Sequence, residues 1–401
     1  MQTDAAVVVD IPGRGKGLKA ARKITSGESI LSDLPILIAP NDDGEFCSAC
    51  LRTLAGRNDT VACRDCGQAT FCSSNCERLA RQDPAGHSPA VCRVLARLDT
   101  HGLSAESIAT LHFLVQAQAL FMASAHEDTA RGRWAAFAGL TGAADSKARD
   151  SSDLFRRLST ATFSAQLPHM AGGRPFTPEE VADAVAKEEL NGYGIMAPSG
   201  PEGERNIRGT ALYPNASLIN HECLPNVART DNFDAPDVQA PNNTAVHFKA
   251  LHDLPAGEEF TQSYFPLHVS YPMRQQRCQE QYGFKCSCPR CKEESTWPED
   301  DEADDLGEED TMETEGEAEP AAREAEMMGD AEEGEERADA GYIQVFLLKY
   351  VCPQADCFGT LVPTQPGSSV QECNMCGCQR TEAQFLADLE AAHSQDTMAA
   401  A

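Results

Sequence analysis

A chain of 401 residues with 41% hydrophobic content is long enough for two or three domains with real cores, and its net charge of -29 argues against a broad phosphate-binding face and so against nucleic acid as the main partner. No apolar run reaches the roughly 18 residues a membrane helix needs, which argues against a membrane-spanning role. The start, Met1-Gln2-Thr3-Asp4, has neither a basic nor an apolar signal region, so the 17 cysteines are expected to stay reduced, in the nucleus or the cytoplasm, and to bind metal rather than form disulfides.

In chain order, Ala6-Val7-Val8-Val9 predicts a short strand and Gly13-Arg14-Gly15-Lys16-Gly17-Leu18 a glycine-rich turn. Ser29 to Ile38 predicts a second strand, ended by Pro40. A cysteine block fills residues 47–92. It holds Cys47-x2-Cys50, Cys63-x2-Cys66, Cys72-x3-Cys76 and His87-x4-Cys92. A pair two to four residues apart can place both ligands on one zinc across a tight turn, so four pairs supply two tetrahedral ions with no open position. Both sites are therefore structural; spacing alone leaves open which pairs share an ion.

Residues 104–164 turn helical, with Ile108, Leu111, Leu114 and Val115 at the spacing of a buried stripe. Thr177-Pro178-Glu179-Glu180 predicts a capped helix start, and that helix should end near Leu190, before Asn191-Gly192. Beyond Ala211 the pattern is β-rich, with strands expected at Ala245-Val246-His247-Phe248 and Phe260-Thr261-Gln262-Ser263-Tyr264 around the turn Leu254-Pro255-Ala256-Gly257. Residues 299–339 carry 21 acidic side chains against Arg323 and Arg337. With so few apolar residues they are expected to form a disordered linker. The last 60 residues return to apolar runs and cysteines. Cys352-x4-Cys357 and Cys373-x2-Cys376 there suggest a further zinc of ribbon type, against free thiols in a small satellite fold.

Three segments stand downstream of the cysteine block: Asn220-His221-Glu222-Cys223-Leu224-Pro225-Asn226, Gly257-Glu258-Glu259-Phe260-Thr261-Gln262-Ser263-Tyr264, and Tyr282-Gly283-Phe284-Lys285-Cys286-Ser287-Cys288-Pro289-Arg290-Cys291. In this order, with a cysteine block inserted after the first strands, the chain resembles the SET-domain lysine methyltransferases of the SET–MYND (SMYD-type) group. The block itself resembles a MYND finger. The resemblance covers about residues 7–292.

It implies an α+β chain with a β-rich SET fold. The expected divisions are residues 1–46 and 191–270 for the SET parts, 47–92 for the finger and 93–190 for a helical insert. A post-SET zinc segment would follow at 271–295, the acidic linker at 296–340 and a zinc-ribbon-like end at 341–401. It implies that Cys47, Cys50, Cys72 and Cys76 share one zinc, and that Cys63, Cys66, His87 and Cys92 share the second. Cys223 would complete a third with Cys286, Cys288 and Cys291.

The implied reaction is methyl transfer from S-adenosylmethionine to a protein lysine. Arg14, Gly15, Lys16, Gly17, Asn191, Asn220, His221 and Phe284 match the cofactor contacts. Tyr264 matches the catalytic tyrosine, Tyr282 an aromatic wall of the lysine channel, and Tyr213 is a weaker channel candidate. Implied partners are a substrate lysine, such as one in a histone tail, and a proline-containing peptide at the finger. The competing reading is a peptide-binding adaptor on an inactive SET scaffold. Three departures stand out: Glu222 replaces the family's usual Ser, a long acidic insertion is present, and no long helical C-terminal domain follows, so the cleft is expected to be more open.

Overall fold

The computed structural model describes residues 4–41, 44–142, 150–167, 173–197, 207–236, 238, 242–298, 338–355 and 357–399. Residues 299–337, the bulk of the expected linker, lie outside them.

β1 (Ala6–Ile11) and β2 (Gly15–Ala20) form an antiparallel hairpin. Its turn is shorter than the run of glycines suggests. Arg14 N donates to Ile11 O at 3.0 Å and Gly13 takes φ 72°, so Gly15 to Leu18 already belong to β2. The single strand expected from Ser29 to Ile38 is two, β3 (Ser29–Asp33) and β4 (Leu37–Pro40). Pro35 has no N–H for a ladder, and the chain changes sheets there.

The inserted finger contributes β5 (Val61–Ala62), β6 (Thr70–Phe71), α1 (Ser74–Gln82) and α2 (Pro89–Leu95). The helical insert follows as α3 (Ala105–Ala123), α4 (Asp128–Ala138), α5 (Ser152–Ser164) and α6 (Pro178–Asn191). Leu111, Phe113, Leu114, Val115, Ala117 and Leu120 are all shut from solvent, so α3 is buried around most of its circumference rather than along one stripe. Its buried Gln118 is satisfied, donating to Thr162 Oγ1 at 2.8 Å and accepting from Phe176 N at 2.9 Å. α6 opens with the predicted capping box of Thr177 and Glu180, and Pro178 stands in its first turn.

β7 (Gly192–Met196) and β8 (Ile207–Leu212), which periodicity did not reveal, form a sheet in the order β4-β8-β7. A short β9 (Asn220–His221) runs parallel to β12 (Thr261–Gln262), all that remains of the longer strand expected at 260–264. β10 (Val227–Asp231) and β11 (Val246–Ala250) join β3 in a third sheet. α7 (Tyr271–Gln281) and α8 (Pro289–Glu294) flank the post-SET cysteines: Cys286 and Cys288 lie between them, and Cys291 is on α8. The C-terminal segment is α9 (Ala340–Tyr350), a meander of β13 (Leu361–Pro363), β14 (Val370–Cys373) and β15 (Gln379–Thr381), and α10 (Glu382–Ala399).

One apolar core lies among the helices of the insert and a second among the strands. The C-terminal segment is not a satellite. Phe346, Tyr350 and Val362 pack against Ala228, Leu251 and Leu267. Tyr350 Oη donates to Leu251 O at 3.1 Å, and Lys249 Nζ to Thr364 O at 3.0 Å. Gly27 sits so close that an added Cβ would lie 2.3 Å from Gln365 O. Among the described residues no helix is long and apolar enough to cross a membrane.

Candidate active site

The sixteen expected metal ligands come together in four groups: Cys47, Cys50, Cys72 and Cys76; Cys63, Cys66, His87 and Cys92; Cys223, Cys286, Cys288 and Cys291; and Cys352, Cys357, Cys373 and Cys376. In each group the ligand atoms lie within 4.8 Å of one another. Tetrahedral zinc with bonds near 2.3 Å has edges of about 3.8 Å between sulfurs. The observed contacts match: 3.5 Å for Cys47–Cys76, 3.7 Å for Cys50–Cys72 and for Cys63–Cys92, and 3.6 Å for Cys352–Cys376.

Three C-x2-C pairs close in the same way. The residue after the second cysteine turns left-handed (Leu51 φ 54°, Gly67 φ 70°, Gly377 φ 72°) and donates its N–H to the first cysteine's carbonyl at 2.9 to 3.0 Å. Burial pushes the His87 imidazole down to about 4, which keeps it in the neutral, ligating form. Elemental analysis is expected to return four zincs per chain, one for each group; three or fewer would remove at least one of these sites.

The post-SET group is seated on a buried ionic triad. Glu294 accepts from Arg290 Nε at 2.6 Å and from Arg274 Nη2, and all three side chains are almost fully buried. Arg290 also donates to Leu267 O at 2.7 Å, and Arg274 to Val269 O at 2.7 Å. Glu294→Ala would strand two buried guanidinium groups. It is expected to cost about 3–5 kcal/mol of unfolding free energy in a denaturant titration.

Two groups of predicted residues meet at Tyr264. On one side lies the hairpin turn against β9. Arg14 donates to His221 O and pairs with Glu259 at 3.1 Å and Glu222 at 3.6 Å. Asn220 Nδ2 donates to Glu259 Oε1 at 2.8 Å. Gly17 is packed tightly here: an added Cβ would lie 2.8 Å from Ile11 Cγ1 and 2.9 Å from Asn220 Nδ2, so both side chains would have to shift. The ring of Phe284 lies 6.1 Å from that of His221. A cation, carboxylates and an amide beside an aromatic ring suit a zwitterionic amino acid joined to a nucleoside.

On the other side is a cavity of about 250 Å³, lined among others by Tyr193, Gln262, Tyr264 and Tyr282. Its aromatic wall suits an alkyl chain ending in an amine. Tyr264 touches both sides, its ring 5.1 Å from that of His221 and 4.7 Å from that of Tyr282.

His221 ties this junction to metal. Its Nδ1 accepts from Tyr264 N at 3.2 Å, so its Nε2 carries the proton toward Cys223 Sγ at 3.3 Å. Burial raises the Tyr264 hydroxyl above the ordinary phenol range and takes Tyr282 up to about 12, so both stay protonated at neutral pH.

A sequence profile of the SET domain matches residues 15–265, more than half of the chain. The chain belongs to the SET-domain family. Within it, "Histone-lysine N-methyltransferase ASHR2" of Arabidopsis thaliana is 33% identical over 92% of this chain and 94% of its own length. "Histone-lysine N-methyltransferase SMYD3" of Homo sapiens is 24% identical over 70% of this chain, which spans 59% of that protein. A crystal structure of the SET domain of LSMT bound to lysine and AdoHcy aligns with 71% of this chain and 54% of its own, at 13% identity and a TM-score of 0.32. The inserted finger and the relatives together place the chain in the SET–MYND group.

Relative to the residues singled out in the sequence, the cavity takes a different tyrosine. Tyr213 is not among the residues that line it. It is fully buried, donates to Thr244 O at 2.5 Å and meets Tyr193 edge-on at 5.5 Å. Tyr193 takes the place at the cavity, its hydroxyl donating to Ala216 O at 2.9 Å and accepting from Gln262 Nε2 at 2.6 Å. Only its position two residues past Asn191 on a strand could have signalled it.

Asn191 lines the cavity. Its amide nitrogen donates to Thr141 O and Lys187 O, both at 2.9 Å, which leaves only the side-chain oxygen for a ligand. Thr360 and Asn374 of the C-terminal segment also line the cavity.

Proposed function

We propose that this SET-family chain transfers a methyl group from S-adenosylmethionine to the ε-amino group of a lysine in another protein. The observation that carries the reading is the position of Tyr264: of the two aromatic residues, Tyr264 and Phe265, that both line the cavity and meet His221 of the polar cluster around Arg14 and Asn220, it is the one with a hydroxyl. The bound cofactor would supply an electrophilic methyl on a sulfonium. Arg14 and Asn220 would hold its amino-acid head, the 220–221 segment and Phe284 its adenine. Tyr193, Tyr264 and Tyr282 would align the lysine chain and exclude water, and the Tyr264 hydroxyl, 3.4 Å from Ile219 O, would orient the amine. No side chain needs to change charge during transfer.

The acceptor must arrive as a free amine. Lysine ordinarily loses its proton near about 10.4, so kcat/KM is expected to rise close to tenfold per pH unit from about pH 7 to 9. Tyr264 and Tyr282 add no inflection there, because burial holds both protonated. A flat profile measured with saturating donor would contradict this assignment.

The relatives' names make histone tails the first acceptors to try, and an acidic chain suits such basic tails. Incubating nuclear and cytoplasmic extract with labelled donor, followed by mass spectrometry, names the modified lysines and the compartment that holds them. Absence of label in every extract protein would leave the adaptor reading, in which the finger holds a proline-containing peptide.

A further inference from the structure

We propose that Gln262 touches the target amine. Its side-chain carbonyl accepts one N–H of the incoming lysine, which makes the unmodified amine the preferred acceptor and stops the reaction at one methyl. The inference rests on the methyltransferase reading of the cavity.

Gln262 stands on β12 and lines the cavity with Tyr193 and Tyr264. Its Nε2 donates to Tyr193 Oη at 2.6 Å and to Ile219 O at 3.1 Å, with Ala216 O at 3.5 Å. Turning the amide over would set its oxygen against two carbonyls, so these neighbours fix which end is which. Oε1 has no partner among the described residues, and it is open rather than shut from solvent. The rest of the side chain is buried, so the space this oxygen reaches is the cavity.

The neighbouring hydroxyls are already directed. Tyr193 gives its proton to Ala216 O at 2.9 Å, and Tyr264 points its own at Ile219 O, 3.4 Å away. The Tyr264 oxygen is thus an acceptor toward the cavity, as is Gln262 Oε1. A neutral primary amine has two N–H groups and one lone pair. With one N–H on each acceptor, the lone pair is left to face the donor. That lone pair forms the new N–C bond as the methyl–sulfur bond breaks, with the bond's electrons staying on sulfur, and the resulting ammonium gives one proton to water. A monomethylated amine has one N–H fewer. To aim its lone pair at a second donor it must lay its methyl against one of the two oxygens, leaving a desolvated acceptor unpaired.

The test uses the full chain, tritiated S-adenosylmethionine and a peptide spanning a lysine labelled in extract, made unmodified and monomethylated. The wild type is expected to show a kcat/KM at least about tenfold higher for the unmodified peptide. Gln262→Met should bring the two within about threefold and yield dimethyllysine by mass spectrometry, with donor affinity unchanged by calorimetry. It should also weaken binding of the unmodified peptide to the AdoHcy complex by about threefold or more. The same change in a Tyr193→Phe background should shift the ratio again, because the lost group is the oxygen and not the bond to Tyr193. A folded Gln262→Met protein that keeps the wild-type ratio or the wild-type peptide affinity overturns the inference. So does an equal fall for both peptides, or no further shift in the Tyr193→Phe background, either of which would mean that Gln262 only supports Tyr193. If the wild type binds the donor but labels no extract protein, the methyltransferase reading itself fails, and this inference goes with it.

Discussion

Tyr264→Phe is expected to lower kcat by about 100-fold or more while leaving donor affinity within about twofold. The magnitude follows from losing one preorganised hydroxyl where charge is redistributed in the transition state. The selectivity follows from geometry. Tyr264 reaches the cofactor side through its ring, 5.1 Å from that of His221, and through its main-chain N–H, and the substitution keeps both. Only the hydroxyl is lost, and its neighbour is Ile219 O at 3.4 Å. Single-turnover methyl transfer separates the chemical step from product release, and calorimetry reads the donor. A variant with wild-type single-turnover rate would remove Tyr264 from the mechanism.

The second large effect concerns metal. Cys223→Ser should lose one zinc and weaken donor binding by at least about tenfold, although the site holds the metal only for structure. Cys223 is the single residue through which the chain segment at 220–226 joins Cys286, Cys288 and Cys291. Its sulfur also faces His221 Nε2, whose opposite nitrogen positions Tyr264. Without the ion, Phe284 and Tyr282 are no longer tied to β9, and the cofactor side loses its aromatic wall. Cys288→Ser tests the same clamp without touching the His221 contact. Both variants should bind donor at least about tenfold more weakly while the finger keeps its two zincs. A zinc-depleted variant that binds donor normally would show that the pocket stands without the clamp.

Much of the site was legible before any coordinates. Metal ligands in pairs two to four residues apart are a local signal, because a short turn is all that brings them together. The capping box at Thr177 and Glu180 is local in the same sense. The partition of the finger's four pairs into two ions is not local. It came from resemblance, and the observed grouping agrees with it. Arg14, Asn220, His221, Tyr264 and Phe284 were placed by motif, and the fold brings them to one junction.

The failures have a common origin. Tyr193 lies on β7 opposite Ala211 of β8, and Tyr213 follows the last residue of β8; nothing in either residue's neighbours says which ring meets the cavity. That is decided by what covers each face of the sheet. Tyr213 turned inward because the strand core closes over it.

By itself, then, the sequence determined the closely spaced metal-ligand pairs, the start of α6 and the motifs whose resemblance gave the family, the cofactor-side residues and the grouping of the ligands. These depend on residues close in the chain or on motifs read whole. Only the tertiary structure decided that Thr360 and Asn374 of the C-terminal segment line the cavity beside Tyr264 and that Tyr193 lines it too. Those contacts join segments up to 181 residues apart, such as Tyr193 and Asn374 on one cavity wall. Burial and hydrogen bonding across such distances depend on the packed surfaces as wholes, which no local spacing encodes.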